Sequence, residues 1–197
     1  MSETTLKKVL VAYAVQGEFV ELEWNDAYVY YVRTGIGKVK SAFHLTEAIA
    51  QVHPDIVINM GTAGTVKHKV GDIFICHRFI DRDMRKLANL GLESEIDSCG
   101  LLSEMGCLLN IDTSAVCNTG DSFMTDVADV EGDVVDMEAY AQAFVCSRMN
   151  VPFVSVKYVS DILGRNSVKH WEDKLADSRK ALHLFMNKEE NHNLFVR

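Results

Sequence analysis

The chain alternates short apolar runs with segments of helical period. "KVLVAYA" (8–14) and "AYVYYVRTG" (27–35) are rich in β-formers, and each predicts a strand. "TGIGK" (34–38) then turns the chain. From residue 41 to 52 the apolar positions Ala42, Leu45, Ile49 and Val52 recur at helical spacing, and Pro54 stands just beyond, where a helix ends. "DIVINM" (55–60) is a short apolar strand running into "GTAG", and "GDIFICHRFID" (71–81) is a strand after a glycine turn. Residues 84–113 are weakly patterned. "SAVCNTG" (114–120) and "DVVDM" (133–137) read as strands, and Ala139, Ala143, Phe144 and Met149 belong to a helix after them. "VPFVSVKYVSD" (151–161) is a long strand, and 167–186 is a closing amphipathic helix.

Strands alternating with helices predict an α/β fold, a sheet with helices on both faces. The 197 residues, with two prolines and neither linker nor repeat, fit a single domain over 1–197. A hydrophobic share of 48% with 24% charged residues is ordinary for a soluble globular protein. The net charge of −8 disfavours nucleic acid and anionic membrane as partners. No apolar run reaches the length of a membrane span, and the N-terminal run reads as a first strand rather than a signal peptide. Five cysteines without a C-x-x-C pair read as reduced thiols of a cytoplasmic protein. The seven histidines are scattered, His68 and His77 included, so no metal site is expected.

In open α/β sheets ligands sit past the carboxyl ends of the strands. "GTAG", "NTGDSFM" (118–124), "MEA" (137–139) and "SD" (160–161) all fall there. Each has a bland alternative. "TGIGK" lacks the spacing of a phosphate loop and is a tight turn. Glu138 is either a first-turn helix residue or a group aimed at sugar hydroxyls. Asp161 is either an N-cap or an acid at the mouth of the sheet. Glu18, in "AVQGEF", is either a solvated turn residue or a third member of the cluster. Three carboxylates past three different strands repel one another, which separates their pKa values into an acid and a base. Glycosidic cleavage needs that pairing. A dinucleotide site would need G-x-G-x-x-G after the first strand, and "AVQGEF" does not supply it.

Taken together and in order, "AVQGEF", "TGIGKVKSA", "PDIVINMGTAG", "VGDI", "DRDM", "NTGDSFM", "VDMEAYA" and "VPFVSVKYVSD" resemble the nucleoside phosphorylase/nucleosidase superfamily (the purine and uridine phosphorylase family). Within it they are most similar to the 5'-methylthioadenosine/S-adenosylhomocysteine nucleosidases. The resemblance covers most of the chain. It implies a twisted mixed β-sheet flanked by helices, a homodimer, a small purine nucleoside as ligand, and no metal or cofactor. It also implies roles. Phe123 stacks on the purine and the Met124 backbone bonds the base. Asp161 gives a proton to the purine N7, Glu138 with Met137 holds the ribose, and Glu18 activates water. Thr62 lies near the nucleophile, and Ser160 joins the substrate-binding set.

Phosphorylases of the family hold phosphate with arginine, one of them three positions before the residue matching Thr62; here that position is Asn59. This favours water, with Arg33 the nearest basic residue that folding could bring in. Phosphorolysis and nucleoside binding without turnover remain the alternatives. The chain also departs from the family pattern. It is shorter between "DRDM" and "SAVCNTG", which bears on the 5' side of the substrate. Val15 stands for a methionine, Gly17 for an acidic residue, and "GTAGT" lacks a second consecutive glycine.

Overall fold

Strand β1 (Lys7–Tyr13) pairs in parallel with β2 (Ala27–Arg33) on one side and with β3 (Ile56–Thr65) on the other. The computed structural model describes residues 6–107, 115–124, 130–164 and 168–195. Helix α1 (Lys38–Val52) connects β2 to β3 and begins three residues earlier than its apolar period suggests. It ends on His53 in the left-handed conformation, one residue before Pro54. β4 (Ile73–Asp81) follows, then the single turn α2 (Arg82–Arg85), β5 (Glu95–Asp97) and α3 (Cys99–Glu104). β6 (Ala115–Thr119), β7 (Val134–Asp136), α4 (Ala139–Arg148), β8 (Phe153–Ile162), α5 (Val168–Met186) and α6 (Glu189–His192) complete the order.

The apolar runs are continuous because both faces of the sheet are covered. Leu10, Ala12, Val57 and Phe153 point to the side where α1 contributes Leu45 and Ile49 and α4 contributes Ala139 and Ala143. Their neighbours Val9, Val11, Ile56, Ile58, Val154 and Val156 point to the other side, against Leu182 and Met186 of α5. The sheet is mixed and closes on itself. β3 pairs with β8, β8 with β4, β4 with β6, β6 with β7, and β7 with β3 again. β2 lies at one edge, where its burial alternates and Tyr28 and Tyr30 are exposed. The expected α/β class, with a mixed sheet flanked by helices, holds.

Three expectations change. The strand expected over 55–60 does not stop at "GTAG": β3 continues through it to Thr65, fully buried, with a bulge opposite β8 between Ala63 and Gly64. Its glycines serve close packing instead. A Cβ on Gly61 would come 3.1 Å from Glu18 Oε1, and one on Gly64 would come 3.0 Å from Asp161 Oδ2. Asp161 is not an N-cap, because it lies inside β8 and α5 starts seven residues later. The weakly patterned stretch does hold β5 and α3, three and six residues long, too short to show a period. Its last residues, 108–113, lie outside the described residues, as does Ser167 at the start of the expected closing helix.

Candidate active site

The ring of strands brings residues far apart in sequence to one cavity of about 280 Å³. That is close to the lower end, roughly 300 Å³, of small-molecule sites. All eight candidate residues line it: Glu18, Thr62, Phe123, Met124, Met137, Glu138, Ser160 and Asp161.

Glu18 ends the 3₁₀ turn that follows β1 and is only 5% exposed, which excludes a solvated turn. Its Oε1 accepts both the Thr62 N–H (2.8 Å) and the Thr62 hydroxyl (2.6 Å). The indole N–H of Trp171, from α5, donates to the same hydroxyl at 2.7 Å. Trp171 thus fixes the Thr62 hydroxyl so that its proton points at Glu18. Gly17 lies against α5, where a Cβ would come 2.8 Å from Leu175 Cδ1 and the leucine side chain would have to shift.

Glu138 occupies the N-cap position of α4 and is 7% exposed. Its side chain does not cap that helix. Oε1 accepts the Gly37 N–H at 2.9 Å. Gly37 presents that N–H from a backbone with φ of 93°, a conformation suited to glycine, in the "TGIGK" turn. Cap duty falls to Asp136, which accepts the Ala139 N–H (2.9 Å), the Thr119 hydroxyl (2.5 Å) and the Lys157 ammonium (2.8 Å). Burial by itself would raise the Asp136 carboxyl, but Lys157 and these donors hold it below its usual range. Burial, and then the charge of Asp136, push Glu138 up to about 8 against the pull of Lys157 and Gly37.

This shift ties stability to pH. Glu138 keeps its proton in the folded chain over a range where the unfolded chain has lost it. Its contribution is full below the ordinary value of 4.5 and is lost as pH rises through about 8. Thermal unfolding across that window should show wild type losing stability relative to Glu138→Gln. Parallel curves would contradict it.

Asp161 is 6% exposed and faces Gly64. Its Oδ1 accepts the Ser160 hydroxyl at 2.7 Å. The Ala63 carbonyl lies farther from that hydroxyl, at 3.4 Å, so the shorter bond is the one to Asp161. Phe123 is 39% exposed on the open side of the cavity, with Met124 beside it. "TDVAD" (125–129), which continues that stretch, lies outside the described residues.

Three polar cavity residues went unread as site residues in the sequence: Trp171, which looked like part of an amphipathic helix, Asp136 and Arg82. Among the described residues the cation lining the cavity is Arg82 and not Arg33. Its two Nη atoms are engaged by oxygens of Asn118, Gly120, Ser122 and Asp136. Asn59 is 2% exposed and turned into the sheet, where it donates to the Ala12 carbonyl and accepts from Ser155.

The profile described as "Phosphorylase superfamily" matches residues 3–187. The chain is 33% identical, over 168 residues, to the 5'-methylthioadenosine/S-adenosylhomocysteine nucleosidase of Marinomonas sp. (strain MWYL1), covering 73% of this chain and 72% of that protein. It has the fold of the nucleosidase from Colwellia psychrerythraea 34H solved with adenine. The TM-score is 0.77 at 22% identity, over 98% of this chain and 97% of that one. It is also similar to the Neisseria meningitidis nucleosidase solved with methylthio-immucillin-A. There the TM-score is 0.69 at 25% identity, over 90% and 97% of the two chains.

Proposed function

Because this chain belongs to the phosphorylase superfamily, we propose that it hydrolyses the N-ribosidic bond of a purine nucleoside of the 5'-methylthioadenosine/S-adenosylhomocysteine type, releasing the free base. The relatives' activity supports the substrate class. The observation that carries the chemistry is the placement of Glu18 and Asp161 on one cavity, with Glu18 oriented by the Thr62 N–H and hydroxyl.

In this reading Phe123 stacks on the purine, the Met124 backbone bonds it, and Asp161 gives its proton to N7. The bond from C1' to N9 breaks with its electron pair going to the base, which the N7 proton neutralises. Positive charge grows on the ribosyl carbon. Glu138, beside Met137, holds the ribose hydroxyls and stabilises that charge. Glu18 takes a proton from water as the water oxygen bonds C1'. Glu138 must be ionised for its part. Since its carboxyl titrates near 8, kcat/KM should rise with pH up to about that value. A profile flat from pH 6 to 9 would contradict this role.

Water rather than phosphate is supported by two features. Asn59 is spent within the sheet, and both Nη atoms of Arg82 are engaged by loop oxygens. Arginine would be the natural bidentate phosphate partner. Incubating the protein with 5'-methylthioadenosine, S-adenosylhomocysteine, adenosine and inosine, with and without phosphate, tests this. Free base without phosphate is the expected product. Base released only with phosphate would make it a phosphorylase, and no release from any of them would leave a nucleoside-binding protein.

A homodimer belongs to the same proposal. Val39 and Phe43 on α1 and Phe144 on α4 are exposed apolar side chains on two helices that pack together. Sedimentation should give twice the chain mass; a monomer at micromolar concentration would contradict it. No helix among the described residues is long and apolar enough to cross a membrane. The five unbridged thiols favour a cytoplasmic setting.

A further inference from the structure

Arg82, in the cavity wall, reaches with one side chain both the Asn118–Ser122 backbone and Asp136. It follows directly on β4, at the first position of the single turn α2. Its Nη2 donates to the carbonyls of Ser122 (2.6 Å) and Gly120 (3.3 Å). Its Nη1 lies at 3.3 Å from both the carbonyl and the side-chain oxygen of Asn118, and at 3.4 Å from the carbonyl of Asp136. One planar group therefore spans two segments. The first leads straight into Phe123 and Met124, and the second into Met137 and Glu138.

The contact is matched from the other side. A Cβ on Gly120 would come 2.7 Å from both Cζ and Nε of Arg82, so the guanidinium lies against bare backbone. Arginine suits this place because it stays charged when buried and offers donors in a fixed fork. Lysine offers a single point of attachment and could not reach all four carbonyls as the fork does.

We propose that Arg82 is a positioning residue for base recognition: its guanidinium, seated on Gly120, holds the Asn118–Ser122 backbone so that Phe123 and Met124 stand at the cavity. This rests on the base site described under Proposed function. Arg82 takes no part in proton transfer. Its loss should weaken contacts made by the base, whether free or within the nucleoside, and leave the acid and base groups in place.

The test compares wild type with Arg82→Gln, Arg82→Lys and Gly120→Ala. Adenine binding is read by calorimetry, and KM and kcat are read with 5'-methylthioadenosine. Arg82→Gln should raise the adenine Kd and the nucleoside KM by the same factor, about tenfold or more, as expected for losing hydrogen bonds from a charged donor. kcat should fall less, and its pH profile should keep its shape. Arg82→Lys should recover only a minor part. Gly120→Ala should reproduce the effect from the loop side, which keeps the test decisive if Arg82→Gln folds poorly. Adenine Kd within twofold of wild type in both Arg82→Gln and Gly120→Ala would overturn the proposal. Wild type that binds adenine but turns over no nucleoside would overturn the catalytic reading instead, and the Kd comparison would still decide the role of Arg82. Wild type that binds no adenine would overturn both.

Discussion

Replacing Asp161 with asparagine should lower kcat for 5'-methylthioadenosine by about 10²–10⁴-fold, the usual worth of a positioned general acid. The change is nearly isosteric. An asparagine oxygen can still accept the Ser160 hydroxyl, and the close approach to Gly64 is kept. Only the transferable proton is removed. KM should move far less than kcat, because the base contacts proposed for Phe123 and Met124 are untouched. Nucleosides whose base leaves readily without N7 protonation should lose least. Release of adenine, followed against a folding control by circular dichroism, measures the effect. A kcat within threefold of wild type would remove Asp161 from the role of leaving-group acid.

The second large effect concerns stability. Lys157→Met should cost about 3–5 kcal/mol, the expected range for stripping one partner from a buried ion pair. Lys157 is 1% exposed, and its ammonium sits 2.8 Å from Asp136, itself buried. Burial would by itself pull the lysine down, but Asp136 holds it above its usual value, so both members are charged together. Removing Lys157 leaves an uncompensated carboxylate beneath Glu138. Asp136→Asn combined with Lys157→Met should recover much of the loss, since the amide oxygen can still accept the Ala139 N–H while the amide nitrogen, in the place of the other carboxylate oxygen, donates to the Thr119 hydroxyl oxygen. Urea unfolding at neutral pH measures both. A loss under 1 kcal/mol in the single variant would show that the pair is not held as a buried charge couple.

The layout of the fold was largely legible because burial on both faces leaves continuous apolar runs such as "IVI" and "FVSV", which local composition reveals. The end of β3 was placed at residue 60 because the apolar run stops there and the glycines after it carry no strand signal. Gly61 and Gly64 instead leave room for the Glu18 and Asp161 carboxylates to lie close against the strand. β5 and α3 escaped because elements of three and six residues carry no measurable period. The eight candidate residues were reachable because each sits beside a strand end or a glycine turn, and the family resemblance told which of them to group. Asp136, Lys157, Arg82 and Trp171 were not. Lys157 lies mid-strand in "VSVKYVS", where only its partner on β7 explains a buried charge. Trp171 reads as one apolar position of an amphipathic helix until the Thr62 hydroxyl is found at its indole nitrogen. Such roles depend on which strands close the ring, and pairing is a long-range property that no local window contains.

One arrangement underlies the proposed chemistry: purine on Phe123 with N7 toward Asp161, ribose on Glu138, and C1' facing Glu18. A crystal structure of the Asp161→Asn protein with 5'-methylthioadenosine tests it most directly, since the slowed chemistry should leave the nucleoside whole. The predicted result has the substituted amide side chain within hydrogen-bonding distance of N7, a ribose hydroxyl on Glu138, and an ordered water between Glu18 and C1'. A nucleoside bound in the reverse sense, with its ribose against Phe123, or seated outside this cavity, would contradict it.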